Sequence, residues 1–123
     1  MSAGQELVLV KLLHTAIWAV MASAVLAIPI CALRGNFRAA KWLSLLILAE
    51  CIVLALNAGR CPLTDIAARF TAERQPNFDI YLPLWLAQYN KHIFGSLFVL
   101  GELIWLWRWL AKRSQNENGV TRR

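Results

Sequence analysis

Carboxylates and histidines inside long apolar runs are the residues of this chain that could do chemistry. Glu50 stands in LAECIVLAL, His14 in LVKLLHTAIW and Glu102 in FVLGELIWLW. A charged side chain at the centre of a membrane span costs about 2.5–3.5 kcal/mol on insertion scales, so such a group is kept when it is neutral, paired or functional. These three residues form a candidate buried polar cluster. Asn57 joins them because it follows Glu50 by seven residues and shares its helix face.

Two interpretations of this cluster are open. In the first, protonated Glu50 and Glu102 share hydrogen bonds with His14 and hold the helices together. In the second, the polar groups bind a proton, a quinone head group or another small ligand. Haem ligation by His14 and His92 is a further alternative, because two histidines suffice as axial ligands, although their spacing matches no haem motif. The cofactor therefore stays unknown.

The elements that must position these groups are predicted membrane spans. The 123 residues are 59% hydrophobic and 16% charged, and the mean hydropathy is positive. Charged residues bracket the apolar runs, and about 20 residues in a helix cover a hydrocarbon core of about 30 Å. We predict a single integral-membrane domain over 1–111, with spans at about 8–33, 42–59 and 92–111.

The connection between the second and third spans has structure of its own. Pro62 suits the first turn of a helix, and Leu63 and Phe70 recur at helical spacing, which predicts an amphipathic interfacial helix over about 62–72. A second interfacial segment is predicted over about 78–90, because its apolar stretch is too short to span and carries Pro83; a full fourth helix is the alternative. In it, Asp79 and Tyr81 are interpreted as a turn and an anchor. The predicted fold class is an all-α three-helix transmembrane bundle bearing an outer amphipathic helix, with a four-helix bundle as the alternative.

The distribution of basic residues predicts the orientation. Three lie in the connection RGNFRAAK and five in the segment from Arg108, against five on the other side, so both of these segments are predicted to be cytoplasmic and the N-terminus outside. The tail over 112–123 is polar and is predicted to be disordered. The net charge of +6 fits segments beside anionic lipid, so it predicts no nucleic-acid partner.

Cysteines and motifs give little support for catalysis. No zinc spacing, glycine-rich phosphate loop or serine nucleophile elbow is present, so no metal site and no catalytic residue are predicted. Cys61 is either a packed small apolar residue or a reactive thiol. Cys61 and His92 are both predicted to lie at the outer mouth of the bundle. Ala19, Ser23 and Ala27 form a small-residue stripe that would permit close helix packing.

A combination of short motifs resembles a known family. LLH in the first span, a glutamate in the second, Cys-Pro-Leu-Thr at 61–64 and Tyr-Leu-Pro before the last span resemble small bacterial inner-membrane proteins of unknown function, over about residues 8–110. The chain has DIAARF where that family carries a glutamate two residues after the block, so it resembles a divergent member. The resemblance implies a bacterial inner-membrane location and a compact helical bundle. The implied signature positions are His14, Glu50, Cys61, Pro62, Leu63 and Thr64.

These observations favour a non-catalytic role. About 120 residues leave little room for a catalytic domain, so the leading interpretation is an accessory or interaction subunit stabilised by the His/Glu cluster. Its predicted partners are the lipid bilayer and a membrane protein or a second copy of the chain. The competing interpretation is a redox or small-ligand-binding membrane protein that uses His14 and Glu50.

Overall fold

The computed structural model describes residues 2–122, with side chains described for 2–116. Four helices follow one another: α1 (Ala3–Leu33), α2 (Phe37–Leu56), α3 (Pro62–Ala67) and α4 (Leu84–Arg122). No strand occurs within 2–122, and α1, α2 and α4 are long and apolar enough to cross a membrane. The predicted all-α class with three spans is confirmed, and the alternative with a fourth spanning helix is not found in this range.

Polar capping residues determine where α1 and α2 begin, and a glycine allows the turn between them. Both helices begin earlier in the sequence than predicted. Ser2 and Gln5 form a capping box that starts α1 at Ala3 rather than near 8. The chain then reverses through Gly35, whose φ of +79° lies in the left-handed region that glycine tolerates. Asn36 caps α2 by accepting from the amide of Ala39 at 3.2 Å, so α2 starts at Phe37 rather than at 42.

The second helix ends at Leu56 rather than at 59. Ala58 and Gly59 both have positive φ, 57° and 80°, and the Gly59 amide donates to the carbonyl oxygen of Leu54 at 2.7 Å. Left-handed residues of this kind commonly terminate helices. Pro62 then occupies the first turn of α3, as predicted from its fixed φ.

The central helix of the bundle is α1, which packs against both α2 and α4, whereas those two touch each other little. Its buried face consists of Ala24, Val25, Ile28 and Ala32. The predicted stripe of small residues, Ala19, Ser23 and Ala27, is not this contact face, because Ala19 and Ser23 are exposed. α1 and α4 are in close contact at Gly101, where a Cβ atom would stand 3.2 Å from Cδ of Pro29.

The connection after α2 differs from both predicted interfacial segments. α3 ends at Ala67 instead of near 72, and residues 68–83 form no helix. Phe78, Ile80 and Leu82 are buried, so this part packs against the helices of the bundle. Residues 84–90 belong to α4, which begins directly after Pro83 because proline cannot continue a helix from the residues before it.

The last helix is longer at both ends than the predicted span of 92–111. It covers 39 residues and continues through most of the tail that was predicted to be disordered, to Arg122. Residues 112–116 are polar but contain neither proline nor glycine, which would interrupt a helix. They extend a helix that already exists, so the free-energy cost of nucleating a new helix does not arise. Arg123, also part of that predicted tail, lies outside the described residues.

The exterior of the three long helices is strongly apolar. Large hydrophobic side chains on every one of them are more than half exposed, among them Val20 (59%), Ile52 (59%) and Leu103 (58%). Monomeric soluble proteins rarely expose apolar patches of this extent. The arrangement fits a membrane protein whose helices contact lipid.

Candidate functional site

A cavity of about 420 Å³ lies at the end of the bundle where α3 is located, which we call the cavity end. Its walls come from α1, α2, the turn into α3, the loop over 76–82 and the first turns of α4. Six of its lining residues have ionisable side chains: His14, Glu50, Arg60, Cys61, Asp79 and Lys91. Known ligand sites have volumes of about 300–1,000 Å³ and a few convergent polar groups, so this cavity falls within their range.

Asp79 is the best-connected polar residue of the cavity and is only 5% exposed. Its carboxylate accepts a hydrogen bond from the Thr64 hydroxyl and lies 3.5 Å from Nδ1 of His14. The same Nδ1 is 3.1 Å from the backbone carbonyl oxygen of Asp79. Two acceptors facing one ring nitrogen place the hydrogen of the imidazole on Nδ1, which leaves Nε2 free. Asp79 therefore ties the loop to both α1 and α3.

This role of Asp79 was not predicted, because the residue was interpreted as part of a turn. A signal was present, since the carboxylate is flanked by apolar Phe78 and Ile80 in a stretch that lacks helical periodicity. An acid in such surroundings needs partners when the stretch is buried. These partners could not be identified from local sequence patterns, because His14 is 65 residues away.

Cys61 lines the same cavity as His14, and its thiol is free of any disulfide. Cys61 is the N-cap residue of α3, and Pro62 and Thr64 fix the course of the chain after it. Cys61, His14 and Asp79 thus share the lining of one cavity.

Glu50 is half-buried and lines the same cavity as His14. Within the residues whose side chains are described, its carboxyl group takes part in no hydrogen bond or ion pair. Ile17, Met21 and Leu54 contribute apolar side chains to the lining of the same cavity. The structure therefore brings the two predicted binding groups, His14 and Glu50, to one space and leaves hydrogen-bonding capacity on both.

Glu102 does not join this group. Its Oε1 accepts from the Ser44 hydroxyl at 2.5 Å, next to the contact of Gly101 with Pro29. Pro29 follows His14 by 15 residues, or about 22 Å along the helix axis. The predicted three-residue cluster assumed that the last helix starts near 92. It starts at Leu84, which moves Glu102 away from the cavity end.

Asn57 also lies apart from the cavity. Its amide donates to the backbone carbonyl oxygen of Arg60 at 2.7 Å and to Oδ2 of Asp65 at 2.9 Å. Arg60 in turn lies 3.3 Å from Oδ1 of Asp65. Asn57 therefore stabilises the turn from α2 into α3 and has a structural position.

His92 is exposed on a different surface of α4. It borders a shallow open groove together with Ser96 and Val99, whereas His14 borders the cavity. The two imidazoles of one chain therefore face different spaces. This geometry does not support their ligating the same haem.

Two side-chain hydrogen bonds join the start of α4 to other parts of the cavity wall, and neither was predicted. The indole Nε1 of Trp18 donates to Oδ1 of Asn90 at 2.7 Å. The ammonium group of Lys91 donates to the carbonyl oxygen of Gly59. On the outer side of the loop, the Tyr81 amide donates to Oγ1 of Thr15 at 3.0 Å. The cavity walls are thus connected by side-chain hydrogen bonds between distant parts of the chain.

Comparison with known proteins gives no relative for this site. No family model matches the chain, and no curated protein or solved structure is significantly similar to it. The function has to be argued from the cavity and its side chains.

Proposed function

We propose that this chain is an integral membrane protein that binds a small amphiphilic ligand, such as a quinone, between His14 and Glu50. The single observation that carries the proposal is that both residues line one cavity of about 420 Å³ at an end of the bundle. Both were candidate binding groups on sequence grounds. Buried ionisable residues within membrane spans are functional-site candidates by default.

The chemistry of the lining supports an amphiphile over a fully polar ligand. Nε2 of His14, with the ring hydrogen on Nδ1, can accept a hydrogen bond from a hydroxyl group of a ligand head such as that of a quinol, and the carboxyl group of Glu50 can accept one as well. Ile17, Met21 and Leu54 offer apolar contact to the rest of the molecule. A ligand of this kind dissolves in the bilayer and reaches the cavity from there.

The test is calorimetric titration of the purified protein in lipid nanodiscs with a short-chain ubiquinol. Glu50→Leu and His14→Leu should each weaken binding about tenfold, because a lost hydrogen bond to a buried group is worth about 1–3 kcal/mol. Glu102→Leu and His92→Leu are matched controls outside the cavity and should leave the affinity unchanged. Absence of binding to the unmodified protein, or equal loss in all four variants, would contradict the proposal.

An accessory or interaction role is a second candidate, and the exposed surface of α4 favours it. Only 6% of the most apolar window of this helix is buried, against 28% for α1. His92 and Ser96 are both exposed along α4, where polar groups facing lipid are unfavourable. A partner helix would cover them. Isolation from the native membrane should then yield a stoichiometric partner. Ser96→Leu should abolish this association, whereas the control Ser114→Leu, further along α4, should not.

The location and family belong to the proposal as well. A bacterial inner membrane, with the N-terminus outside and the C-terminus in the cytoplasm, is supported by the eight basic residues on the predicted inner side against five on the other. Membership in the family with the Cys-Pro-Leu-Thr block is supported by the LLH, Cys-Pro-Leu-Thr and Tyr-Leu-Pro motifs of the sequence. A green fluorescent protein fused to the C-terminus should fluoresce, and an alkaline phosphatase fused there should be inactive.

A further inference from the structure

We propose that the cavity binds a quinol in preference to a quinone, with His14 accepting a hydrogen bond from one hydroxyl group and Asn90 donating one to the other oxygen. The inference rests on the proposed function, because it names the redox form of the same ligand and a further contact to it. It assigns Asn90 to ligand binding and Trp18 to the positioning of the Asn90 amide.

The orientation of the Asn90 amide is fixed by its partner on α1. Nε1 of Trp18 donates to Oδ1 of Asn90 at 2.7 Å. An indole nitrogen is a donor only, so it must face the oxygen of the amide, and Nδ2 lies on the other side of the group. The indole ring is itself held by an edge-to-face contact with Phe94, at 5.7 Å between ring centroids. A half-turn of the amide would set two donors against each other.

Nδ2 of Asn90 is a donor that the protein leaves available. Asn90 is half-buried and lines the cavity. Among the described side chains Nδ2 has no hydrogen-bond partner, and the atom is not fully buried. A shielded donor without a partner is unfavourable, so an oxygen of a bound ligand that accepts from Nδ2 stabilises the complex.

Other donors of the lining are less suited to fix a ligand. Gln88 and Lys91 also line the cavity, but both side chains are exposed. Arg60 is exposed as well and lies 3.3 Å from Oδ1 of Asp65. A long exposed side chain loses conformational entropy when it binds a ligand, whereas a side chain that is already held loses little. Asn90 is therefore a donor that the fold orients before a ligand arrives.

The imidazole of His14 has the opposite hydrogen-bonding role. Nδ1 faces the backbone carbonyl oxygen of Asp79 at 3.1 Å and carries the ring hydrogen, so Nε2 is an acceptor. Trp18 follows His14 by four residues, which places the two on one face of α1, about 6 Å apart along the helix axis. A ring-shaped head group between them meets an acceptor at one edge and the Asn90 donor at the other.

The two redox forms of a quinone match this pair of residues differently. A quinol hydroxyl group donates and accepts, so one hydroxyl donates to Nε2 of His14 while the other oxygen accepts from Nδ2 of Asn90. The oxygens of a quinone only accept. One of them would face Nε2 of His14 and leave two acceptors opposed. Sites that hydrogen-bond a hydroxyl group discriminate against analogues that lack it.

The redox preference is tested by calorimetric titration under argon, with the unmodified protein in lipid nanodiscs. The ligands are a short-chain ubiquinol and the corresponding ubiquinone, which differ only in the hydrogens on the two ring oxygens. We expect the quinol to bind about tenfold more tightly, and His14→Leu to bring the ratio of the two affinities close to one. Equal affinities in the unmodified protein, or tighter binding of the quinone, would overturn the inference. This ratio does not depend on any variant that has to fold.

The role of Asn90 is tested by which redox form loses affinity. Asn90→Leu should weaken both forms about tenfold and leave their ratio unchanged, because Nδ2 donates to an oxygen that both forms carry. Gln88→Leu is the matched control, since it removes an exposed amide from the same lining, and it should change neither affinity. Unchanged binding by Asn90→Leu, or an equal loss in Gln88→Leu, would overturn the assignment of Asn90.

The positioning role of Trp18 needs a readout that a packing defect does not produce. Trp18→Phe keeps an aromatic ring and removes the indole N–H group, so it should weaken quinol binding by less than Asn90→Leu does. Trp18→Phe combined with Asn90→Leu should bind no more weakly than Asn90→Leu alone, because Trp18 acts through the amide. An additional loss in the double variant, or no loss in Trp18→Phe, would overturn the positioning role.

Failure of this inference can be told apart from failure of the proposed function. Equal binding of the two redox forms, weakened in both cases by Glu50→Leu, would leave the binding cavity standing and remove the selection of the quinol. Absence of binding by either form would contradict the proposed function itself.

Discussion

Replacing Asp79 by alanine should destabilise the bundle far more than any other single carboxylate removal at the cavity end. The carboxylate is nearly buried, with 7% of its side chain exposed, and it serves both the Thr64 hydroxyl and Nδ1 of His14, whose side chain is 15% exposed. A hydrogen bond to a charged group contributes about 1.5–3 kcal/mol, and breaking a buried pair leaves its partner without compensation. We expect a loss of about 3 kcal/mol in the free energy of unfolding for Asp79→Ala.

The matched control is Asp65→Ala. Its carboxylate also forms an ion pair, with Arg60 at 3.3 Å, but the two side chains are 41% and 59% exposed. Exposed pairs contribute about 0–1 kcal/mol. Both variants are to be unfolded by titrating sodium dodecyl sulfate into mixed micelles while tryptophan fluorescence is recorded. A loss for Asp65→Ala equal to or larger than that for Asp79→Ala would refute the reasoning that Asp79 fastens the loop.

Two further predictions concern the middle of the bundle and use the same assay. Gly101→Ala should lower the free energy of unfolding by about 1–3 kcal/mol through overpacking, since the new Cβ would lie 3.2 Å from Cδ of Pro29. The control Gly95→Ala should not destabilise the protein, because no atom lies within 4 Å of its new Cβ. Equal effects of the two substitutions would contradict this packing. Ser44→Ala should cost about 1–3 kcal/mol, because it leaves the half-buried carboxyl group of Glu102 without its 2.5 Å partner. An unchanged unfolding midpoint for Ser44→Ala would show that this hydrogen bond contributes nothing.

The helical framework could be predicted because its signals are local. Charged residues bracket each apolar run, Pro62 starts α3 and Gly59 follows the end of α2. Boundaries were less accurate where a short polar residue caps a helix early, as Ser2 and Asn36 do. The start of α4 at Leu84 was missed because the stretch before 92 was treated as separate from the last span.

The candidate site could be predicted only in part, because its contacts join distant residues. The intramembrane positions of His14 and Glu50 marked them as candidates, and they do share a cavity. Their rotation about the helix axes could not be worked out from three nearly uniform apolar helices. Glu102 was misplaced because α4 starts at Leu84 rather than near 92, which moves Glu102 along the helix axis. Asp79 was missed because burial of its loop depends on tertiary packing, which no local pattern reports.

The length of α4 has a mechanical consequence. Its 39 residues extend about 58 Å, roughly twice the thickness of a hydrocarbon core, and the helix carries Asn90 and Lys91 of the cavity near one end. Gly101 lies close to the middle of α4, where the helix is in close contact with Pro29. A tilt of α4 about this contact moves the two ends of the helix in opposite directions. A force on the end of α4 that lies far from the cavity would therefore widen or narrow the cavity at the other end.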